Sequence, residues 1–173
     1  MMVLNAYQEL ARRTQNMELS REEKQRHALF GMASELGEIF DAGADKSKLI
    51  DEMSDLCWFV AEYCDTQEVE MDSFGTRWAR PVDICTREDF DEARKNLVLS
   101  VGKIMAVHQK EYQGHEANLG SIKGELENVL YQVSALARAY KSSLADVLVH
   151  NIDKLKKRFP DGFQVERSVY REV

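Results

Sequence analysis

Residues 20–64, SREEKQRHALFGMASELGEIFDAGADKSKLIDEMSDLCWFVAEYC, decide the fold. Ser20 followed three residues later by Glu23 has the form of a capping box, the start signal of a helix. From there Leu29, Met32, Leu36 and Ile39 recur at helical spacing, which predicts a helix to about Asp41. Small, turn-forming residues occupy 43–47, and Leu49, Met53, Leu56 and Val60 then make a second apolar stripe, predicting a helix from about Lys48 to Cys64. So short a connection makes the two helices antiparallel neighbours.

Outward from this pair the pattern stays helical. Only two prolines occur, Pro81 and Pro160, and no long stretch alternates with the period of a strand. The reading is an all-α helical bundle in a single domain, residues 1–173. Within it, 1–65 form a first helical unit that opens with a helix from Leu4 to about Thr14. Residues 66–92 are a folded connector, in which Gly75, Pro81 and several charges interrupt Phe74, Trp78 and Phe90. A second unit, 93–163, has helices predicted from Ala93 to Lys110, Ile122 to Tyr140 and Leu144 to Phe159, and 164–173 form a tail. The two units read as degenerate repeats. Glu-Leu-Gly-Glu-Ile at 35–39 lies over Ser-Val-Gly-Lys-Ile at 100–104, and the stretch from Glu52 to Trp58 lies over that from Glu125 to Tyr131.

Composition narrows the function. Against 30 acidic residues stand 23 Lys and Arg, a net charge of −7, which repels a nucleic-acid polymer or an anionic membrane. No apolar run is long enough to span a bilayer and no signal-peptide pattern opens the sequence, so a cytoplasmic protein is expected. The three cysteines, Cys57, Cys64 and Cys85, have no C-x-x-C spacing and point to neither a disulfide framework nor zinc.

Four acids stand out. On the first helix of the pair, Glu35 and Glu38 sit three residues apart beside the apolar stripe; on the second, Glu52 and Asp55 do the same. Carboxylates converging at a packed interface raise one another's pKa values unless cations neutralise them. An oxygen-only ligand set suits Mg²⁺, with Mn²⁺ as a substitute. A di-iron centre would carry Glu-x-x-His, and none of His27, His108, His115 or His150 has Glu three positions before it. In the second unit the matching positions read Ser100, Lys103, Glu125 and Asn128, so only the first unit keeps all four acids.

The order Glu-Leu-Gly-Glu, a gap, then Glu-Met-Ser-Asp resembles the paired acidic motif of the MazG-like all-α nucleoside triphosphate pyrophosphohydrolases. The opening Tyr-Gln-Glu-Leu-Ala-Arg-Arg-Thr at 7–14 and the closing Asn-Ile-Asp-Lys-Leu-Lys-Lys-Arg-Phe-Pro-Asp-Gly-Phe at 151–163 are similar to the two ends of small members. This resemblance implies a Mg²⁺-dependent hydrolase that splits a nucleoside triphosphate into monophosphate and pyrophosphate, in house-cleaning or pool control, as a homodimer or higher homo-oligomer. It implies Glu35, Glu38, Glu52 and Asp55 as metal ligands and catalytic acids, and Asn151, Lys154 and Arg158 as contacts to phosphate. Two departures stand out: Phe59 occupies a position where many members have Tyr, and a connector with a degenerate second unit separates the motifs.

For the base and sugar, the candidates are Gln8, Arg13, His27 and Trp78, with Trp58 beside them, because amide, guanidinium and aromatic groups are what a nucleobase needs. Two other readings stay open at this point. One is a pyrophosphohydrolase acting on another metabolite, such as phosphoribosyl-ATP; the other is a non-catalytic helical module that binds a nucleotide or a partner protein.

Overall fold

A computed structural model describes residues 4–80 and 83–169. Among these residues the regular structure is helical, with no strand: α1 Leu4–Arg12, α2 Arg21–Asp41, α3 Lys46–Thr66, α4 Arg87–Glu111, α5 Leu119–Ala139, α6 Leu144–Arg158 and α7 Val165–Val169. Two single 3₁₀ turns, Met71–Ser73 and Arg77–Ala79, lie in the connector. Pro81 of the connector and residues 170–173 of the tail fall outside the described residues.

Helices α2 and α3 form the expected hairpin. The capping box at Ser20 and Glu23 is complete, with each side chain bonded to the other residue's backbone. At the turn, Gly43 takes a positive φ of 59°, a conformation that favours glycine, and Asp45 caps α3 by accepting from Ser47 N and Lys48 N. Met32 and Ile39 of α2 are fully buried, as are Leu49, Met53, Leu56 and Val60 of α3. Burying each such side chain contributes about 1.5–3 kcal/mol, so this seam holds the carboxylate-bearing edges in fixed register. Helices α4 and α5 make a second hairpin around Leu97, Ile104, Leu126 and Val129. Helix α4 starts at Arg87 rather than near Ala93, because Thr86 and Asp89 supply a capping box that takes the helix back into the connector.

The two hairpins meet through α2 against α4 and α3 against α5, and α6 packs across α3. Buried Arg94 of α4 fastens the first of these contacts, donating from Nη2 to Ile39 O (3.0 Å) at the end of α2 and lying 4.1 Å from the centre of the Phe40 ring. Helix α3 is the hub: α1, α2, α5 and α6 all touch it.

Candidate metal centre

Spacing along α3 puts Asp51, Glu52 and Asp55 on the side flanked by α2 and α6. Glu35 on α2, Glu52 and Asp55 each present an oxygen, and these oxygens all lie within 4.8 Å of one another. Glu35 is 8% exposed, and its Oε2 is buried with no hydrogen-bond partner. Glu38 lies outside this triplet: it is exposed, at the rim, though close enough for its charge to act on Glu35 and Glu52.

Helix α6 supplies the polar groups on the other side. Asn151, fully buried, donates from Nδ2 to Asp55 Oδ1 (3.1 Å), while the Tyr7 hydroxyl donates to Asn151 Oδ1 (2.9 Å) and fixes which way the amide faces. Lys154 Nζ donates to Asp51 Oδ1 (2.9 Å) and to the Asp55 carboxylate (2.7 Å). His150 Nε2 lies 2.9 Å from the same Asp51 oxygen. Asp51, His150 and Tyr7 join the site without belonging to the acidic pairs that mark it in the sequence. Asp51 stands one turn before Asp55 and His150 precedes Asn151, but only the packing of α6 on α3 reveals that these positions meet.

The electrostatics follow from crowding. Burial, then Asp55, Glu38 and Glu52, push the Glu35 carboxyl up to about 8. Burial also raises Glu52, with Glu38 and Asp51 adding to it. Asp55 is raised by burial even though Lys154 pulls the other way. At Asp51 burial is outweighed by Lys154 and His150, and its pKa falls; at Lys154 burial is outweighed by Asp55 and Asp51, and its pKa rises. A buried, unpartnered carboxylate oxygen among further carboxylates is the arrangement a hard cation satisfies, so the donor set fits a metal bound through oxygen.

The matching positions of the second hairpin need no ion. Asn128 Nδ2 donates to Ser100 Oγ (2.7 Å) and Lys103 Nζ donates to Glu125 Oε1 (2.9 Å). One pair is neutral and the other is an internal salt bridge, so the charge that the first hairpin leaves unbalanced is cancelled here by the protein's own groups.

The remaining candidates are dispersed. Gln8 is buried, bonding Asp65 Oδ1 (2.8 Å), Val69 O (3.0 Å) and Met71 N (2.9 Å), and so fixes the connector to α1. Arg13 is exposed and lines a cleft of about 320 Å³ between α1 and α6, with Leu10, Leu155 and Phe159. Arg158 donates to Arg167 O (3.3 Å) and Ser168 O (3.0 Å) around α7, yet its charge still reaches Asp55. Trp78 packs on the core from the second 3₁₀ turn, which lies against α5. Trp58 donates from Nε1 to Thr14 Oγ1 (2.9 Å). His27 Nδ1 lies 2.6 Å from Glu62 Oε2, and that carboxylate raises the His27 pKa chiefly through this hydrogen bond.

No protein-family model, curated protein or solved structure matches this chain.

Proposed function

We propose that this protein is a nucleotide pyrophosphohydrolase that uses Mg²⁺, with Mn²⁺ able to replace it, to cleave a nucleoside triphosphate into monophosphate and pyrophosphate. The observation that carries the reading is the convergence of Glu35, Glu52 and Asp55 oxygens within 4.8 Å around a buried Glu35 oxygen that no group of the protein satisfies. These three residues would hold the ion, with Glu38 at the rim. The ion, when bound, neutralises charge on phosphate oxygens and lowers the pKa of bound water. The chain's own groups do the positioning. Asn151, oriented by Tyr7, and Lys154 fix the Asp55 carboxylate; Lys154, with one N–H beyond its bonds to Asp51 and Asp55, would donate to a phosphate oxygen. Water adds through its oxygen to the α-phosphorus, the bond to the bridging oxygen breaks, pyrophosphate departs with that oxygen, and the water's proton passes to solvent. The self-satisfied second hairpin supports one metal centre per chain.

Pyrophosphate release from a panel of standard and modified ribo- and deoxynucleoside triphosphates, with phosphoribosyl-ATP included, tests this in Mg²⁺ and in EDTA. Release with Mg²⁺ alone is expected, and Asp55→Asn should lower kcat/KM by more than about 100-fold while helical content is kept. A variant as active as the parent would show that the carboxylates are not the reacting centre.

A further inference from the structure

Glu62 is a second buried acid whose needs the protein leaves unmet. Its side chain is 1% exposed; Oε2 is taken by His27, and Oε1 has no partner. An acceptor buried without a donor forfeits the hydration it had in water, so a fold that keeps one invites a ligand to supply the hydrogen. Of the other two buried side-chain atoms without partners among the described residues, Glu35 Oε2 belongs to the metal centre and Arg94 Nε to a packed junction.

The position of Glu62 gives the ligand its chemistry. Residues 52, 55, 59 and 62 follow one edge of α3, and 38, 35, 31 and 27 run antiparallel to them on α2. The rungs of this ladder are visible in the structure: Glu35 meets Asp55, the Phe59 ring lies over Gly31, and His27 meets Glu62. A Cβ at Gly31 would come within 2.1 Å of the Phe59 ring, so glycine is what lets the ring cross between the helices. Phe59, Trp58 and His27 meet edge to face, with ring centres 5.0 Å (Trp58 to Phe59), 5.4 Å (His27 to Phe59) and 6.0 Å (His27 to Trp58) apart. From Asp55 to Glu62 is seven residues, about 10 Å along the helix. That span is comparable to the reach from an α-phosphate to the far edge of its nucleobase.

We infer that the Phe59, Trp58 and His27 cluster is the base subsite of this centre and that Glu62 Oε1 accepts a hydrogen bond from an exocyclic amine, so that the protein selects amino bases over their oxo counterparts. The inference rests on the reading that Glu35, Glu52 and Asp55 govern a nucleotide's phosphates. The aromatic faces contribute stacking, which every base accepts. Discrimination comes from the carboxylate, which attracts an N–H and repels a carbonyl oxygen. Entry requires a ring to turn, and His27 is the most exposed of the three.

The test compares pairs that differ in this one group: dCTP with dUTP, and ATP with ITP. The wild-type protein should favour the amino member by roughly 10- to 100-fold in kcat/KM, the range of a hydrogen bond to a charged group. In Glu62→Gln, whose amide can turn a donor toward an oxo group, the ratio should fall to near unity or invert. In parallel, dCMP and dUMP are titrated in EDTA and followed by tryptophan fluorescence, which needs neither metal nor turnover and applies to the wild type even if the variant fails to fold. If no triphosphate is hydrolysed, the hydrolase reading falls while the titration still decides the inference: tighter dCMP upholds it. Equal affinity for the two monophosphates, no binding of either, or turnover without amine preference overturns it.

Discussion

At the scale of single residues, Glu35 carries the clearest pH signature. Its carboxyl titrates near 8 in the folded, metal-free protein against an ordinary 4.5, because it is buried and faces Asp55, Glu38 and Glu52, with Lys154 opposing them. Between those values the folded state keeps a proton that the unfolded chain has released. The stabilisation is therefore full below pH 4.5 and is lost as pH rises through about 8. In EDTA, the melting temperature of the wild type should fall relative to Glu35→Gln by roughly 5–10 °C from pH 5 to pH 8. Scanning calorimetry across that range checks it, and parallel curves for the two proteins would contradict it. Asn151 gives a second expectation. In Asn151→Ala the buried Tyr7 hydroxyl loses its acceptor and Asp55 loses a donor, a cost of about 1–3 kcal/mol in denaturant unfolding.

The difference between the hairpins decides what each helix pair contributes. Helices α2 and α3 bring carboxylates together, whereas α4 and α5 bring together groups that satisfy one another. Lys103→Ala should therefore leave pyrophosphate release within about twofold of the parent, since an exposed salt bridge contributes only about 0.2–1 kcal/mol. A large loss would give the second hairpin a part in the chemistry. Much of this was legible in the sequence. Helical periodicity and the Ser20 and Glu23 box locate α2, and the i,i+3 pairs Glu35 with Glu38 and Glu52 with Asp55 predict four converging acids, of which Glu35, Glu52 and Asp55 meet while Glu38 stays exposed at the rim. The start of α4 was hidden because its capping box, Thr86 with Asp89, sits among the charges of the connector. Asp51, His150 and Tyr7 were hidden for a different reason: periodicity tells which face of a helix is apolar, but not which residues of α6 land opposite α3. Gln8 looked like a recognition residue because its type is right for one; its burial against Asp65 and Met71 depends on contacts distant in sequence.

For the molecule as a whole, the net charge of −7 works against association with a nucleic-acid polymer or an anionic membrane. No helix among the described residues is long and apolar enough to cross a membrane. Added Mg²⁺ should raise the melting temperature in proportion to the logarithm of its concentration, and by more at pH 8 than at pH 6, because the ion competes with the Glu35 proton. An unchanged melting temperature in millimolar Mg²⁺ at both pH values would mean that the folded chain holds no ion there.

The grip of Lys154 on Asp51 and Asp55 has a consequence for how the protein comes into being. An ammonium tethered to α6 acts as a resident counter-ion, and the proton on Glu35 removes one more charge, so the newly made chain can close around its acids without waiting for a metal to arrive. On the proposed reading, metal uptake is then a late exchange rather than a nucleating event. Chain diluted from denaturant into EDTA should regain its full helical signal at the same rate as in Mg²⁺, with the ion taken up only afterwards.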